Sequence, residues 1–149
     1  MSPSPPIAHD EELPDPASVV IRRRIEWIDT DAAGIYHWTT VFRLAEAAEA
    51  AMHTALGIEG TFGSAPRVAV SVDFKRSLRF NDPVELELAV ESVGRSSLVY
   101  RLTLTSDAGV AADGTLTVCF IDQATRQPAP WPQDVRERLS GGGRVEAAA

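Results

Sequence analysis

One cysteine, one lysine and no long apolar run set the first limits on this chain of 149 residues. The lone Cys119 excludes an intramolecular disulfide and any cysteine-rich zinc site. No apolar stretch approaches the roughly 20 residues needed to span a bilayer. The chain also does not open with the basic-then-apolar pattern of a signal peptide. A soluble, cytoplasmic protein without a membrane partner is the expectation. Basic side chains are also few: 14 Lys and Arg stand against 21 Asp and Glu, a formal charge of −7. That balance argues against a nucleic-acid partner. Four of the acids (Asp10, Glu11, Glu12, Asp15) precede residue 18, where no base occurs, so the remaining body is nearly neutral at about −3. With 44% apolar and 23% charged residues the chain is ordinary globular material. One domain of this length buries about 70% of its unfolded surface and needs no staple.

Residues 1–17 hold five of the ten prolines and almost no apolar side chains, too little to offset the entropy of ordering. This segment reads as a flexible Pro-rich tail, and residues 141–149, with three glycines and a run of alanines, read as a second tail. The domain is expected over residues 18–140.

Within it the apolar period switches twice. Val19, Ile21, Ile25 and Trp27 alternate with polar neighbours, as in a strand with one buried face. From Trp38 the steps become three and four (Val41, Ala45, Ala48, Met52, Ala55), in a segment rich in Ala and Glu that ends at Gly57; this predicts a helix over 38–56. Four alternating runs follow, around Val68–Phe80, Val84–Val90, Leu98–Leu104 and Leu116–Phe120, separated by Asn-Asp-Pro, Gly-Arg-Ser and Asp-Ala-Gly turns. Short turns make the strands antiparallel neighbours. A last piece, 132–139, suits one or two helical turns. The order gives an α+β fold of one sheet and one dominant helix. One helix cannot cover a sheet of long strands, so self-association as a homodimer or homotetramer is expected.

The segment between first strand and helix, Asp29-Thr30-Asp31-Ala32-Ala33-Gly34-Ile35-Tyr36-His37, concentrates the chemistry. A carboxylate there can attack a carbonyl or activate water. Free N–H groups at a helix start can hold an oxyanion. The same residues also suit an Asx-turn that only starts a helix, and residue types alone leave both readings open.

The run from Trp27 to His37 resembles the signature of the hot-dog-fold acyl-CoA thioesterases of the 4-hydroxybenzoyl-CoA thioesterase type, an Asp-x-Asp-x-x-Gly loop leading into the central helix. The similarity continues through Val84, Gly94-Arg95-Ser96 and Thr125-Arg126-Gln127-Pro128, about residues 19–139. It implies a hot-dog fold, an antiparallel sheet wrapped around the helix, and hydrolysis of acyl-CoA to free acid and CoA without metal or other cofactor. It also implies that Asp31, the second aspartate, is the catalytic carboxylate, as nucleophile or general base, while Asp29 shapes the loop. Family members usually carry one more residue between the glycine and the Tyr-His pair. The shortening leaves Asp31 in register and points to the backbone at His37 or Trp38 for the oxyanion, with Tyr36 beside the substrate.

Two further clusters stand out. Glu46, Glu49 and His53 share a helix face by spacing, so a metal or second acid–base site is conceivable. A polar helix face with Glu-to-His pairing accounts for the same pattern. Other family branches place a catalytic Glu on this helix, which makes Glu46 a reserve candidate. Arg76, Arg79, Arg95 and Arg126 lie at turns, where Arg forks suit phosphate. The resemblance favours Arg95 with Ser96 for the nucleotide end of CoA. Hydrolysis of acyl groups from a carrier protein, a non-catalytic acyl-thioester-binding module and a hydratase are the alternatives. The hydratase would need an Asp–His pair that is not recognisable here.

Overall fold

The computed structural model describes residues 14–148. Strand β1 (Ser18–Arg24) is followed by the long helix α1 (Thr40–Leu56). Then come β2 (Arg67–Phe74), β3 (Pro83–Val93), β4 (Ser97–Ser106), β5 (Gly109–Cys119), a short helix α2 (Gln133–Gly141) and a two-residue strand β6 (Arg144–Val145). They form one six-stranded sheet in the order β2-β5-β4-β3-β1-β6. Every pairing is antiparallel except that of β6 with β1.

The alternation seen in the sequence sorts the two faces. Ile21, Leu86, Leu88, Leu102, Leu104 and Leu116 point inward and pack with Val41, Leu44, Ala48 and Met52 of α1 in one core. The outer face is a ladder of opposite charges, with Arg22–Glu85, Arg101–Glu91 and Lys75–Asp113 each at 2.8 Å. Such exposed pairs keep the face wet and add little stability. Helix α1 packs on β1 and β3, at one side of the sheet. The inner face of β2, at the other side, is left uncovered: Val70 and Phe74 are exposed. Gly57, at φ +70°, stops α1 in the left-handed conformation that glycine adopts without strain.

Four boundaries differ from the sequence reading. Helix α1 starts at Thr40, not Trp38, because the preceding residues are tied into the loop described below. Strand β1 stops at Arg24, and Trp27 is 75% exposed, not buried: residues 27–29 form a 3-10 turn, closed when the Asp29 side chain accepts the Glu26 N–H. Strand β2 stops at Phe74 instead of running on to Phe80, since the N–H groups of Lys75 and Arg76 both turn back to the Ala111 carbonyl. The untethered end expected over 141–149 is also corrected in part. Ser18 N–H bonds to Gly143 O, Gly143 N–H bonds to Asp15 O, and β6 pairs with β1. Without β6 the outer edge of β1 would present unpaired backbone groups. Of the expected N-terminal tail, residues 1–13 lie outside the described residues, while Ala17 is fully buried.

Candidate active site

The loop from Glu26 to Thr40 is built around two aspartates in opposite situations. Asp29 is 4% exposed. Its Oδ2 accepts the Glu26 N–H at 2.8 Å, and its Oδ1 accepts Arg43 Nη2 at 2.7 Å and Nε at 3.2 Å. Its carbonyl accepts the His37 N–H at 2.6 Å and the Thr40 hydroxyl at 3.2 Å. Asp29 therefore fastens both arms of the loop to the first turn of α1, with every oxygen occupied. Asp29→Asn puts an amide where acceptors are needed and removes the charge facing Arg43. It is expected to cost about 1.5–3 kcal/mol, toward the lower figure because Arg43 is half exposed. Urea denaturation of the variant measures it, and an unchanged midpoint contradicts the anchoring role.

Asp31 is exposed at the loop tip. Its N–H bonds to Ile35 O at 2.9 Å, its carbonyl accepts Gly34 N–H at 3.0 Å, and Gly34 takes φ +77° to close the turn. Oδ1 accepts the Ala33 N–H at 2.8 Å, which leaves Oδ2 without a partner among the described residues. On the β2 side Asp31 lines a cavity of about 380 Å³ with Ile35, Tyr36, Trp38, Phe74 and Arg76. On the helix side it lines a second hollow of about 400 Å³ with Ile28, His37, Thr39 and Arg43. Asp31, with one carboxylate oxygen unpartnered among the described residues, thus borders two concave spaces.

The neighbouring groups complete the inventory. Tyr36 is buried against Phe74, with ring centroids 6.4 Å apart. Burial pushes its phenol above the usual range, so it stays protonated, and its hydroxyl has no partner among the described residues. His37 Nδ1 accepts the Thr39 N–H at 3.2 Å and lies 2.6 Å from the Thr39 hydroxyl. In the neutral ring this assigns the proton to Nε2. Of the two oxyanion candidates, the His37 N–H is engaged by Asp29 O, whereas the Trp38 N–H has no acceptor among the described residues.

Other sequence candidates are not brought together. Glu46 is exposed, while Glu49 and His53 are buried against Arg67 and Tyr100, so the three do not form one site. Among the described residues no group of three metal-ligating side chains converges. Arg95 and Ser96 lie in the β3–β4 turn, at the end of the sheet opposite the Asp31 loop. The ten residues of β4 alone span about 30 Å, so within one chain Arg95 cannot reach Asp31. Arg76, one of the turn arginines ranked behind Arg95 in the sequence, is the one that lines the Asp31 cavity. No sequence signal marked Arg43, Phe74 or Arg67, which matter only through the fold.

Among the described residues no helix is long and apolar enough to cross a membrane. Residues 24–139 match the model of the thioesterase-like superfamily. A 1,4-dihydroxy-2-naphthoyl-CoA hydrolase from Synechococcus elongatus is 32% identical over 132 residues, covering 83% of this chain and 96% of that protein. A 1,4-dihydroxy-2-naphthoyl-CoA thioesterase from Synechocystis superposes with a TM-score of 0.75 at 17% identity, over 82% of this chain and 95% of that one. A thioesterase from Thermus thermophilus, solved with coenzyme A and Zn, gives 0.74 at 23% identity, over 80% and 90%. The chain belongs to the thioesterase-like superfamily, has the hot-dog fold and is a thioester hydrolase.

Proposed function

We propose that the chain hydrolyses an aryl acyl-CoA thioester, of the class of 1,4-dihydroxy-2-naphthoyl-CoA, with Asp31 as the catalytic carboxylate. The observation that carries this reading is the unpartnered Oδ2 of Asp31 between two hollows, one of them walled by Tyr36, Trp38 and Phe74. Flat aromatic walls suit an aromatic acyl group, and the volume is that of an ordinary small-ligand pocket. The relative that is 32% identical supports the substrate class.

In the mechanism the thioester carbonyl accepts the Trp38 N–H, which stabilises the oxyanion as it forms. Asp31 takes a proton from water as the water oxygen adds to the carbonyl carbon. The tetrahedral oxyanion then collapses, the C–S bond breaks, and the proton passes from Asp31 to the CoA thiolate. Direct attack by Asp31 gives the same products through a mixed anhydride that water cleaves. His37 Nε2–H is a donor for the bound thioester, while the Tyr36 ring walls the acyl group.

The site belongs to a dimer in this reading. β2 is the sheet's edge, with an uncovered apolar inner face, and an antiparallel strand can pair with its own copy about a two-fold axis. That pairing carries the partner's β3–β4 turn to the same end as this chain's Asp31, where Arg95 and Ser96 can meet the nucleotide of CoA. Light scattering is expected to give twice 16.1 kDa, or a multiple of it. A monomer at micromolar concentration contradicts the arrangement.

Release of free CoA thiol across hydroxynaphthoyl-, benzoyl-, short-chain and long-chain acyl-CoAs tests the function. The aryl thioesters are expected to have the highest kcat/KM. Turnover of a carrier-bound acyl group but of no acyl-CoA overturns the reading.

A further inference from the structure

Outside the loop, the described residues bury one other set of ionisable groups. Glu49, on the inner face of α1, is 1% exposed, and its Oε2 lies 3.4 Å from Arg67 Nη2 at the start of β2. A carboxylate so deep in the protein is costly unless a cation stays beside it. Glu49 therefore fixes the Arg67 side chain against α1, yet about a third of that side chain remains exposed (31%). The Asp31 mechanism does not use this pair, and within one chain it cannot. Arg67 and Phe74 are the two ends of β2, about 23 Å apart at strand spacing, and only the Phe74 end lines the Asp31 cavity.

With a second copy paired on the β2 edge, face and register give a place for the exposed part of Arg67. Arg67 pairs with Val118 and Phe74 with Ala112, both inward-facing, so Arg67 and Phe74 share the inner face despite the bulge between Arg67 and Ala69. In an antiparallel pair, opposed residues share a face. A two-fold axis placed at Ser71, near the middle of β2, would set Val70 opposite Val72 on the inner face and bring the Arg67–Val68 bulge beside Phe74 of the other copy. Each Arg67 would then reach the wall of the other copy's Asp31 cavity.

We propose that Arg67, held by Glu49, acts in trans: it enters the Asp31 cavity of the second copy and binds an oxygen substituent on the aromatic acyl group. The inference rests on the dimeric aryl-CoA reading above. A guanidinium fork fixed at an aromatic wall suits a hydroxyl or phenolate on the ring. The CoA phosphates are left to arginines at the turns, Arg76 and Arg95.

Subunit mixing decides the matter. Arg67→Ala is expected to lower kcat/KM for a hydroxynaphthoyl-CoA by about 10- to 100-fold, with a smaller loss on unsubstituted benzoyl-CoA. Asp31→Asn chains are expected to retain at most about 1% of wild-type kcat on their own. After unfolding and refolding together in equal amounts, half the dimers carry one chain of each kind. Each mixed dimer has one site with both Asp31 and Arg67 intact, so about a quarter of wild-type activity returns. Activity no higher than the mean of the two parents overturns the proposal. The double variant Glu49→Leu/Arg67→Met removes both charges while preserving apolar packing, and it is expected to remain dimeric and to keep the selective defect. Full activity on the hydroxylated substrate in that variant shows the pair to be structural only. Failure of the underlying reading looks different: the wild type leaves every acyl-CoA intact, or Asp31→Asn keeps its activity.

Discussion

Asp31→Asn is expected to lower kcat by at least about 100-fold on the best aryl-CoA while KM stays within a few-fold of wild type. The asymmetry of its hydrogen bonds makes this substitution informative. Oδ1 accepts the Ala33 N–H, a bond that the amide oxygen of Asn can keep, so the loop tip retains its shape. Oδ2, the free atom, becomes an amide nitrogen that neither attacks a carbonyl nor takes a proton from water. The groups proposed to bind substrate are untouched: the Trp38 N–H and the aromatic walls of Tyr36, Trp38 and Phe74 all remain. Loss therefore falls on the chemical step, the pattern of an interaction made only in the transition state. Asp29→Asn serves as the mirror control, because its carboxylate is fully engaged and its loss falls on stability. Steady-state kinetics and denaturation midpoints for the pair separate the two roles. Wild-type kcat in Asp31→Asn removes Asp31 from the mechanism, and Glu46 on α1 becomes the next residue to replace.

The parts of this protein that were legible in its sequence are those where one periodic pattern meets one surface. The step of three and four from Val41 to Met52 marks the face of α1 that is buried, and strict alternation in β3 and β4 marks their inner residues. Pattern fails where coverage changes along an element. Glu46 and His53 are seven residues apart, close to two turns, and so point almost the same way from α1. Glu46 is nevertheless exposed and His53 buried, because the segment after the helix folds back and lays Phe62 on the His53 ring, 5.6 Å between centroids. A helical wheel contains no such information. Pairings of two residues are equally silent: Arg144–Val145 becomes a strand only because the edge of β1 is open. The site shows both cases. The Asp-x-Asp-x-x-Gly run announces itself, and the different fates of its two aspartates follow a family register. The separation of Arg95 from Asp31 needs the strand order. So does the placement of Arg76 in the cavity and of Arg67 at the far end of its wall.

The protein is expected to lose stability as pH falls from about 6.5 to about 4, and His53 is the cause. The His53 side chain is 1% exposed, with Nε2 3.0 Å from the Tyr100 hydroxyl and no partner for Nδ1 among the described residues. Around it stand Tyr100 from β4, Arg67 from β2, Glu49 one turn earlier on α1 and the Phe62 ring. Burial, reinforced by the Arg67 charge, holds its imidazole at about 4, against 6.5 for a free side chain. The unfolded chain then binds a proton at a pH where the folded chain does not, so the loss begins near 6.5 and is complete below 4. It amounts to about 3 kcal/mol at the bottom of the window and about 2 kcal/mol by pH 5. Glu49 acts in the opposite sense. Burial raises its carboxyl above the usual range, so the folded chain gains as Glu49 takes up its proton, which trims the acid end of the effect. Tyr100, pushed well above its usual range by burial, stays protonated throughout. Urea midpoints at pH 7.5 and pH 5, for wild type and for His53→Gln, isolate the histidine. The wild type should lose most of the predicted stability between the two conditions and the variant much less. Equal losses in both proteins place the acid sensitivity elsewhere. Because protonated His53 would repel the guanidinium that Glu49 holds, the same titration is expected to loosen Arg67 at the start of β2.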